Sequence, residues 1–318
     1  MRSRPDAKEL IASTDIDLES LFSTDVAHVL IHGSEVIGLH AVPGLRVDAR
    51  ERSDGVETVI RVDKGAVIEK TVQFCFGVLP QKGTQHIIMD LDVGEEASLS
   101  VRSHCVFPNA VDVKHIMDAK VHIGAGAQYR YEEHHVHSVQ GGITVIPKAS
   151  VKLDRCGHFS SEFILLRGRV GVIDLDYDAV CDPHSVLEMN ARINATADDH
   201  VSIREAALLH HDARGVLTSK IAVRDDSRAE IINQLIADGP GARGHVDCKE
   251  IIQDRAVARA EPIVEVRDPH AHVTHEAAIG SVDDKQLETL MSRGLTEDQA
   301  VDIIIGGMLG SEDYAGPQ

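Results

Sequence analysis

The feature that most constrains the fold is the long stretch 26–280, in which short β-branched runs alternate with turn residues. Runs of five to eight residues are separated by Gly, Asp, Asn and Pro, and almost no segment keeps a helical period. Four examples, which recur at roughly 13 to 16 residues, are Val216–Val223, Ala229–Ile236, His245–Ile252 and Pro262–Val266. This pattern is typical of an antiparallel sandwich or of a β-solenoid, and periodicity alone leaves both alternatives open.

Helical patterns are confined to the two ends of the chain. In residues 1–25 the segments Ala7–Ile11 and Leu18–Phe22 predict one or two short helices, separated by a polar cluster. We therefore expect three parts: an N-terminal helical segment over 1–25, a β core over 26–280 and a C-terminal helical hairpin over 281–318.

The hairpin is predicted from its capping residues. Ser281 precedes the first helix and Gly294 ends it, while Thr296 and Gln299 have the spacing of a capping box for the second helix. Each helix has an apolar face. The faces comprise Leu287, Leu290 and Met291 in the first helix and Ala300, Ile303, Ile304 and Met308 in the second.

Composition excludes several classes of partner. Acidic residues outnumber basic ones by 51 to 32, which gives a formal charge of −19 and disfavours nucleic acid and anionic lipid. The five cysteines form no CxxC pair, and there is no apolar run of the roughly 20 residues that a membrane-spanning helix needs. Together with the lack of an apolar signal segment at the N-terminus, this predicts a cytoplasmic protein with reduced thiols.

Common catalytic motifs are absent from the sequence. There is no GxxxxGK[ST] phosphate loop, no GxGxxG, no HExxH and no GxSxG. If the protein needs energy from ATP, a partner must therefore supply it. On a strand, His135 and His137 would share one face and His134 the other, so a metal site there would need a third ligand from a neighbouring strand. The alternative is a solvated polar strand.

The cysteines differ in their surroundings. Cys75 has apolar neighbours and is predicted to lie in the core, while Cys105 is either a buried structural residue or one with a redox or sulfur-carrying role. Cys248 follows a Gly-Pro-Gly turn, and its thiolate, which the adjacent Lys249 would favour, is a natural ligand for iron or carrier of persulfide sulfur. His275 and Glu276 follow 27 and 28 residues later, roughly one coil of a solenoid.

These residues belong to segments that resemble the C-terminal part of the SufB/SufD family of iron–sulfur cluster assembly scaffolds. The three most similar segments are His245–Ile251, Val273–Gly280 and Gln286–Ala300. The resemblance continues upstream through Gly239–Gly244. The segments around Cys75 and Cys105 resemble those of the short archaeal members, so the resemblance covers most of the chain.

The resemblance implies a mainly β fold, a right-handed parallel β-helix flanked by short helical ends. It also implies a homodimer or a heterodimer with another SufB/SufD chain, bound by the ABC ATPase SufC and delivering clusters to apo iron–sulfur proteins. In this family the chain is a scaffold rather than an enzyme, binds no nucleotide itself, and holds a transient cluster that we expect to be of the 4Fe–4S type. The chain is shorter than the usual SufB, and we expect it to lack most of the N-terminal extension. It also has no clear equivalent of the internal cysteine proposed to receive sulfur in the longer proteins.

The resemblance also assigns roles to particular residues. Cys248 and Glu276 match the SufB residues associated with building the cluster, and His275 matches a histidine at the dimer interface. The C-terminal hairpin matches the ATPase-docking element, although its apolar faces could simply cap the solenoid. The predicted partner-binding residues are Leu287, Leu290, Met291, Leu295, Ile303, Ile304 and Met308.

Two other functions remain open. One is a SufD-like partner with a structural role only. The other is a β-rich, cupin-like metal-binding protein that uses its histidines and needs no ATPase.

Overall fold

The fold is a β-solenoid with short helices at both ends, and it is described from a computed structural model. The structure describes residues 5–12, 14, 16 and 21–310. Three helices lie in this part of the chain: α1 (Pro5–Ala12), α2 (Asp284–Met291) and α3 (Glu297–Leu309). The strands of the first half are β1 (His28–His32), β2 (Glu35–His40), β3 (Leu45–Glu51), β4 (Gly55–Val62), β5 (Val72–Gly77), β6 (Lys82–Val93), β7 (Ser98–Phe107), β8 (Asp112–Ile123), β9 (Gln128–His137) and β10 (Ile143–Leu153). Those of the second half are β11 (His158–Arg167), β12 (Val172–Cys181), β13 (Val186–Ala195), β14 (His200–Leu209), β15 (Arg214–Val223), β16 (Arg228–Ala237), β17 (Arg243–Ile252), β18 (Val257–Val266) and β19 (His272–Gly280).

These strands form two sheets that face each other. Sheet A has the order β19-β17-β15-β13-β11-β9-β7-β5-β1-β2, and sheet B the order β18-β16-β14-β12-β10-β8-β6-β4-β3. From β5 in sheet A and from β4 in sheet B, neighbouring strands are parallel, so consecutive strands of the chain alternate between the sheets. Periodicity left open an antiparallel sandwich and a β-solenoid, and this alternation of parallel strands shows that the fold is a β-solenoid. It also excludes the antiparallel double sheet of a cupin for the described residues.

Successive coils stack almost in register. Leu187 of β13 pairs with Gly215 of β15, which pairs with Gly244 of β17, so a coil contains 28 or 29 residues here. Half a coil is the spacing at which the β-branched runs recur in the sequence. Corners between strands contain a residue in the left-handed region, for example Asp225 (φ 57°) and Asp254 (φ 60°), and aspartate and glycine tolerate this conformation best.

The core lies between the two sheets. Along most strands buried and half-buried or exposed side chains alternate, because successive residues point to opposite faces. One continuous apolar cluster runs from Ala27 to Ala256 and is dominated by Val, Ile, Leu and Ala. This composition agrees with the absence of tryptophan, because a narrow space between stacked coils is filled best by branched aliphatic side chains.

The N-terminal helix α1 covers the outside of the first coils. Leu10 and Ile11 are fully buried and pack with Leu30, Cys75 and Val106 in a second apolar cluster. The predicted helix at Ala7–Ile11 and the core position of Cys75 are therefore confirmed. The second predicted segment, Leu18–Phe22, lies largely outside the described residues.

The C-terminal hairpin packs on the outer face of sheet A. The Thr296–Gln299 capping box is present, and the first helix is capped by Asp283 rather than by Ser281. In α3 the buried residues are Ala300, Val301, Ile305, Gly306 and Leu309. Ile303 is exposed, so the buried face of α3 differs from the predicted one.

Two contacts fix α3 on the solenoid wall. Arg224 forms an ion pair with Asp302 at 2.5 Å, and Arg192 Nη1 donates to the carbonyl oxygen of Leu309 at 3.0 Å. The helix thus lies along the side of the solenoid, against β15, and not across its open end. No helix among the described residues is long and apolar enough to cross a membrane.

One strand is longer than its sequence pattern indicates. β18 begins at Val257, five residues before the predicted start at Pro262. Proline is unusual inside a strand because it lacks an N–H group. β18 is the edge strand of sheet B, where one side of the strand has no hydrogen-bonding neighbour and proline is tolerated.

Candidate functional site

Cys248 lies in the middle of β17 and points into the solenoid. Its side chain is fully buried, and the Asn233 amide nitrogen on the opposite sheet lies 3.7 Å from its sulfur. Ser219 on the neighbouring strand β15 is the register partner of Cys248. Its Oγ donates a long hydrogen bond of 3.5 Å to Glu250. A small polar group of Ser219, Asn233, Cys248 and Glu250 therefore interrupts the apolar core near its C-terminal end.

Burial controls the ionisation of this group. It raises the pKa of the Cys248 thiol above its ordinary value, and it raises the pKa of Glu250 to about 7. The expectation that Lys249 favours the thiolate was wrong. Adjacent strand residues point to opposite faces, and the Lys249 ammonium lies outside the solenoid, where it pairs with Asp247 at 2.8 Å.

The turn before β17 sets the register of Cys248. A Cβ atom on Gly239 would lie 2.3 Å from the backbone nitrogen of His211, and Gly241 has a φ of +75°. Both positions therefore need glycine, because the turn packs directly on the preceding coil and because its third residue is left-handed. The Gly-Pro-Gly segment is thus required by the fold.

His275 and Glu276 lie on β19, the edge strand of sheet A, next to β17. The register pairs Val246 with His275, Asp247 with Glu276 and Cys248 with Ala277. His275 therefore lies on the same inner face as Cys248, beside Val246, which is two residues before Cys248 on β17. Glu276 lies on the outer face, beside Asp247. Within one chain, Cys248 and Glu276 are on opposite faces of the sheet.

The edge strand is open to solvent. Eight of the nine residues of β19 are exposed, including His275 and Glu276, whereas β17 beneath it is mostly covered. An exposed edge offers unpaired backbone N–H and C=O groups to another strand or chain. Cys248 is thus separated from an open edge by a single strand.

A groove lies between the hairpin and the end of β17. It has a volume of about 700 Å³, and four of the predicted partner-binding residues line it together with Ile251. These four are Leu290, Ile303, Ile304 and Met308. Of the other three, Met291 is exposed, and Leu287 and Leu295 are half-buried.

Comparison with known proteins identifies the chain. The family model for the SufBD core domain of the SUF system for FeS cluster assembly matches residues 56–308. The chain belongs to the SufBD family. It is therefore an iron–sulfur cluster assembly protein of this family, as the resemblance implied.

Two archaeal relatives match nearly the whole chain. An iron–sulfur cluster assembly SufBD family protein of Methanocaldococcus jannaschii is 34% identical over 95% of this chain and 96% of its own. Another from Pyrococcus horikoshii is 32% identical over 92% of this chain and 89% of its own. A longer relative from Archaeoglobus fulgidus is 28% identical over 79% of this chain and 67% of its own.

The SufBD chain contains a second buried polar cluster, which sequence reasoning did not assemble. Cys105 on β7, His115 on β8 and Glu133 on β9 place a sulfur, a ring nitrogen and a carboxylate oxygen within 4.8 Å of one another. His135 lies beside Glu133, and His137 beside His135. The interpretation of His135 and His137 as a solvated strand was wrong, because both side chains are buried.

The predicted alternation on this strand is confirmed, with His134 on the other face from His135 and His137. The available signal was the alternation Glu133-x-His135-x-His137, which marks a polar inner face. His115 could not be connected to it from sequence, because it comes from the opposite sheet. A second histidine pair in the sequence differs: His210 is half-buried and His211 is exposed, and each is paired with an aspartate.

Proposed function

We propose that this SufBD protein is a scaffold of the SUF machinery, on which a transient iron–sulfur cluster, of the 4Fe–4S type, is assembled at a dimer interface. The observation that carries the proposal is the position of Cys248, one strand inside an exposed edge strand that bears His275 and Glu276. In this proposal iron and sulfide are cargo. The protein supplies the ligands and a site shielded from solvent, and no catalytic residue is assigned.

Strand alternation supports a dimeric site. Since Cys248 and Glu276 of one chain are on opposite faces, they cannot both bind one small cluster unless a second chain contributes or the edge strand moves. A second SufBD chain placed against β19 would cover the exposed edge and bring its own ligands. Both a homodimer and a heterodimer with another SufB/SufD chain meet this requirement.

Burial of Cys248 supports a gated site. A thiol with a raised pKa is a poor ligand until it loses its proton, and Glu250, whose pKa is about 7, could accept that proton near neutral pH. Opening of the edge would admit iron and sulfide and later release the cluster to apo iron–sulfur proteins. Closure would keep water and oxygen away.

The energy for opening would come from a SufC-type ABC ATPase. We assign its docking to the C-terminal hairpin, because α2 and α3 present exposed apolar side chains next to the end of β17. The contact between α3 and β15 gives a mechanical path from the hairpin to the strand beside Cys248. In this proposal the protein is cytoplasmic, and its three parts are the N-terminal segment (1–25), the solenoid (26–280) and the docking hairpin (281–318).

Reconstitution of the cluster tests the assignment of Cys248. The purified protein would be incubated anaerobically with iron and sulfide, and the visible absorption of the cluster measured. Cys248→Ala is expected to lose at least nine-tenths of the absorption, because the thiolate ligand is gone. Cys181→Ala, which removes another buried cysteine, is the matched control. An unchanged spectrum of Cys248→Ala would remove this residue from the site.

Pull-down with the cognate ATPase tests the docking surface. Ile303→Asp places a charge on an exposed side chain of α3 and is expected to weaken binding at least tenfold, since a charge in an apolar interface is poorly solvated. Val139→Asp, at an exposed valine in the loop after β9, is the control. Equal capture of both variants would contradict the assignment of the hairpin.

A further inference from the structure

The buried cluster around Cys105 has the composition of a metal site. Its potential ligands are one thiol, one imidazole and one carboxylate, and Cys105, His115 and Glu133 are each at most 1% exposed. A soft thiolate with nitrogen and oxygen ligands suits a borderline divalent ion such as Zn²⁺ or Fe²⁺, whereas Ca²⁺ and Mg²⁺ prefer oxygen alone.

The distances fit a tetrahedral ion. Cys105 Sγ lies 3.8 Å from His115 Nε2 and 3.6 Å from Glu133 Oε1. With bonds of about 2.3 Å to sulfur and about 2.0–2.1 Å to nitrogen or oxygen, tetrahedral geometry places the ligand atoms about 3.6 Å apart. Both distances lie in the range of hydrogen bonds to sulfur, and they also match the edges of such a coordination sphere.

A chain of hydrogen bonds holds the carboxylate in place. His137 Nδ1 lies 2.9 Å from the carbonyl oxygen of Arg169, and His137 Nε2 lies 3.1 Å from His135 Nδ1. His135 Nε2 in turn lies 2.7 Å from Glu133 Oε1. The carbonyl can only accept, so His137 donates through Nδ1 and accepts from His135, and a further proton lies between His135 and Glu133. Such partners fix the orientation of metal ligands.

One oxygen of this buried carboxylate remains without a partner. Glu133 Oε2 is inaccessible to solvent and has no hydrogen bond. A buried carboxylate oxygen without a donor is costly, and it indicates a missing positive group. His115 Nδ1 is likewise buried without a hydrogen-bond partner.

We propose that Cys105, His115 and Glu133 bind one divalent transition-metal ion of the Zn²⁺ or Fe²⁺ type inside the solenoid. The thiolate and the carboxylate neutralise the ion, and the Cys105 thiol releases its proton to solvent on loading. Because the site is enclosed, the ion binds as the coils close during folding. In sheet A four strands separate Cys105 on β7 from Cys248 on β17, so the ion and the transient cluster occupy separate sites.

Refolding with metal tests this proposal. The full chain carrying Cys248→Ala, which removes the cluster ligand, would be refolded anaerobically with Zn²⁺ or with a chelator and passed through gel filtration. We expect about one bound zinc per chain and a higher melting temperature with zinc. Adding Cys105→Ala or His115→Gln should lower the zinc content at least tenfold and abolish the shift. Adding Cys181→Ala should change neither.

Cobalt provides a readout that needs no further variant. Co²⁺ bound in place of zinc should give the absorption of a tetrahedral ion with a thiolate ligand in the Cys248→Ala chain. Circular dichroism shows whether each variant has folded. The proposal is overturned if the Cys248→Ala chain folds without retaining zinc or cobalt, or if folded Cys105→Ala and His115→Gln chains keep both. Loss of the ion without loss of cluster assembly in the wild-type chain would leave the proposed function intact.

Discussion

Cys105 and Cys248 are two buried cysteines with similar neighbours in different parts of the solenoid. Each has a serine nearby, Ser103 or Ser219, and a buried glutamate, Glu133 or Glu250. Cys105 lies on β7, with β5 and β9 on either side, whereas Cys248 lies next to the edge strand. In our two proposals a buried cysteine therefore binds a permanent ion where the solenoid is closed and a transient cluster where it lies near an open edge.

The buried carboxyl groups of the two clusters also differ, because their pKa values are shifted in opposite directions. Burial raises the pKa of Glu133, but His135, His115 and Tyr131 together lower it by more, so the pKa is below its ordinary value. Glu250 has no cationic partner among the described residues, and burial raises its pKa to about 7. The closed cluster is therefore built around a fixed charge, and the open one around a group that can gain or lose a proton near neutral pH.

The largest effect should come from packing, in a comparison of the centre of sheet A with its open edge. Ile193 is fully buried in the centre of sheet A, and Ile279, which pairs with Glu250, is 48% exposed at the edge. We expect Ile193→Ala to lower the free energy of unfolding by about 4 kcal/mol and Ile279→Ala by less than about 1 kcal/mol. Denaturant unfolding measures both. Equal losses would mean that the edge is as tightly packed as the centre, for example in a dimer.

Replacing the two glutamates should have opposite effects. In metal-free protein, Glu133→Gln leaves His135 without its charged partner and should lower the free energy of unfolding at pH 7 by about 3 kcal/mol. Since the folded pKa of Glu133 is lowered, its contribution is present above about pH 4.5 and is lost as the pH falls. Unfolding measured between pH 3 and pH 8 gives this dependence.

Glu250→Gln provides the contrast. With a folded pKa of about 7, ionisation of Glu250 destabilises the fold progressively as the pH rises from about 4.5 to about 7. The variant should therefore match the wild type near pH 4 and exceed it by about 1–2 kcal/mol at pH 8. If Glu250→Gln instead destabilised the protein at pH 8, a partner group would have to stabilise the ionised Glu250 side chain.

The candidate site was predicted only in part, for reasons that particular residues make clear. Cys248, His275 and Glu276 were selected through family resemblance, and their positions on two neighbouring strands agree with a spacing of about one coil. The influence of Lys249 was misjudged, because sequence adjacency on a strand means opposite faces. The Cys105 cluster was missed, because its members come from three strands on both sheets.

The sequence by itself determined the β-rich class, the spacing of the strands and the capped helical hairpin, because these depend on local patterns of β-branched, turn and capping residues. Local patterns left open whether the strands coil or pair antiparallel; family resemblance predicted that they coil, and the tertiary structure confirmed it. Only the tertiary structure decided which residues line the interior, and that one cysteine cluster is closed and the other lies at an edge. Those properties depend on which strands become neighbours. Contacts between strands about half a coil or a whole coil apart are set by the stacking of the whole chain, and no local pattern encodes them.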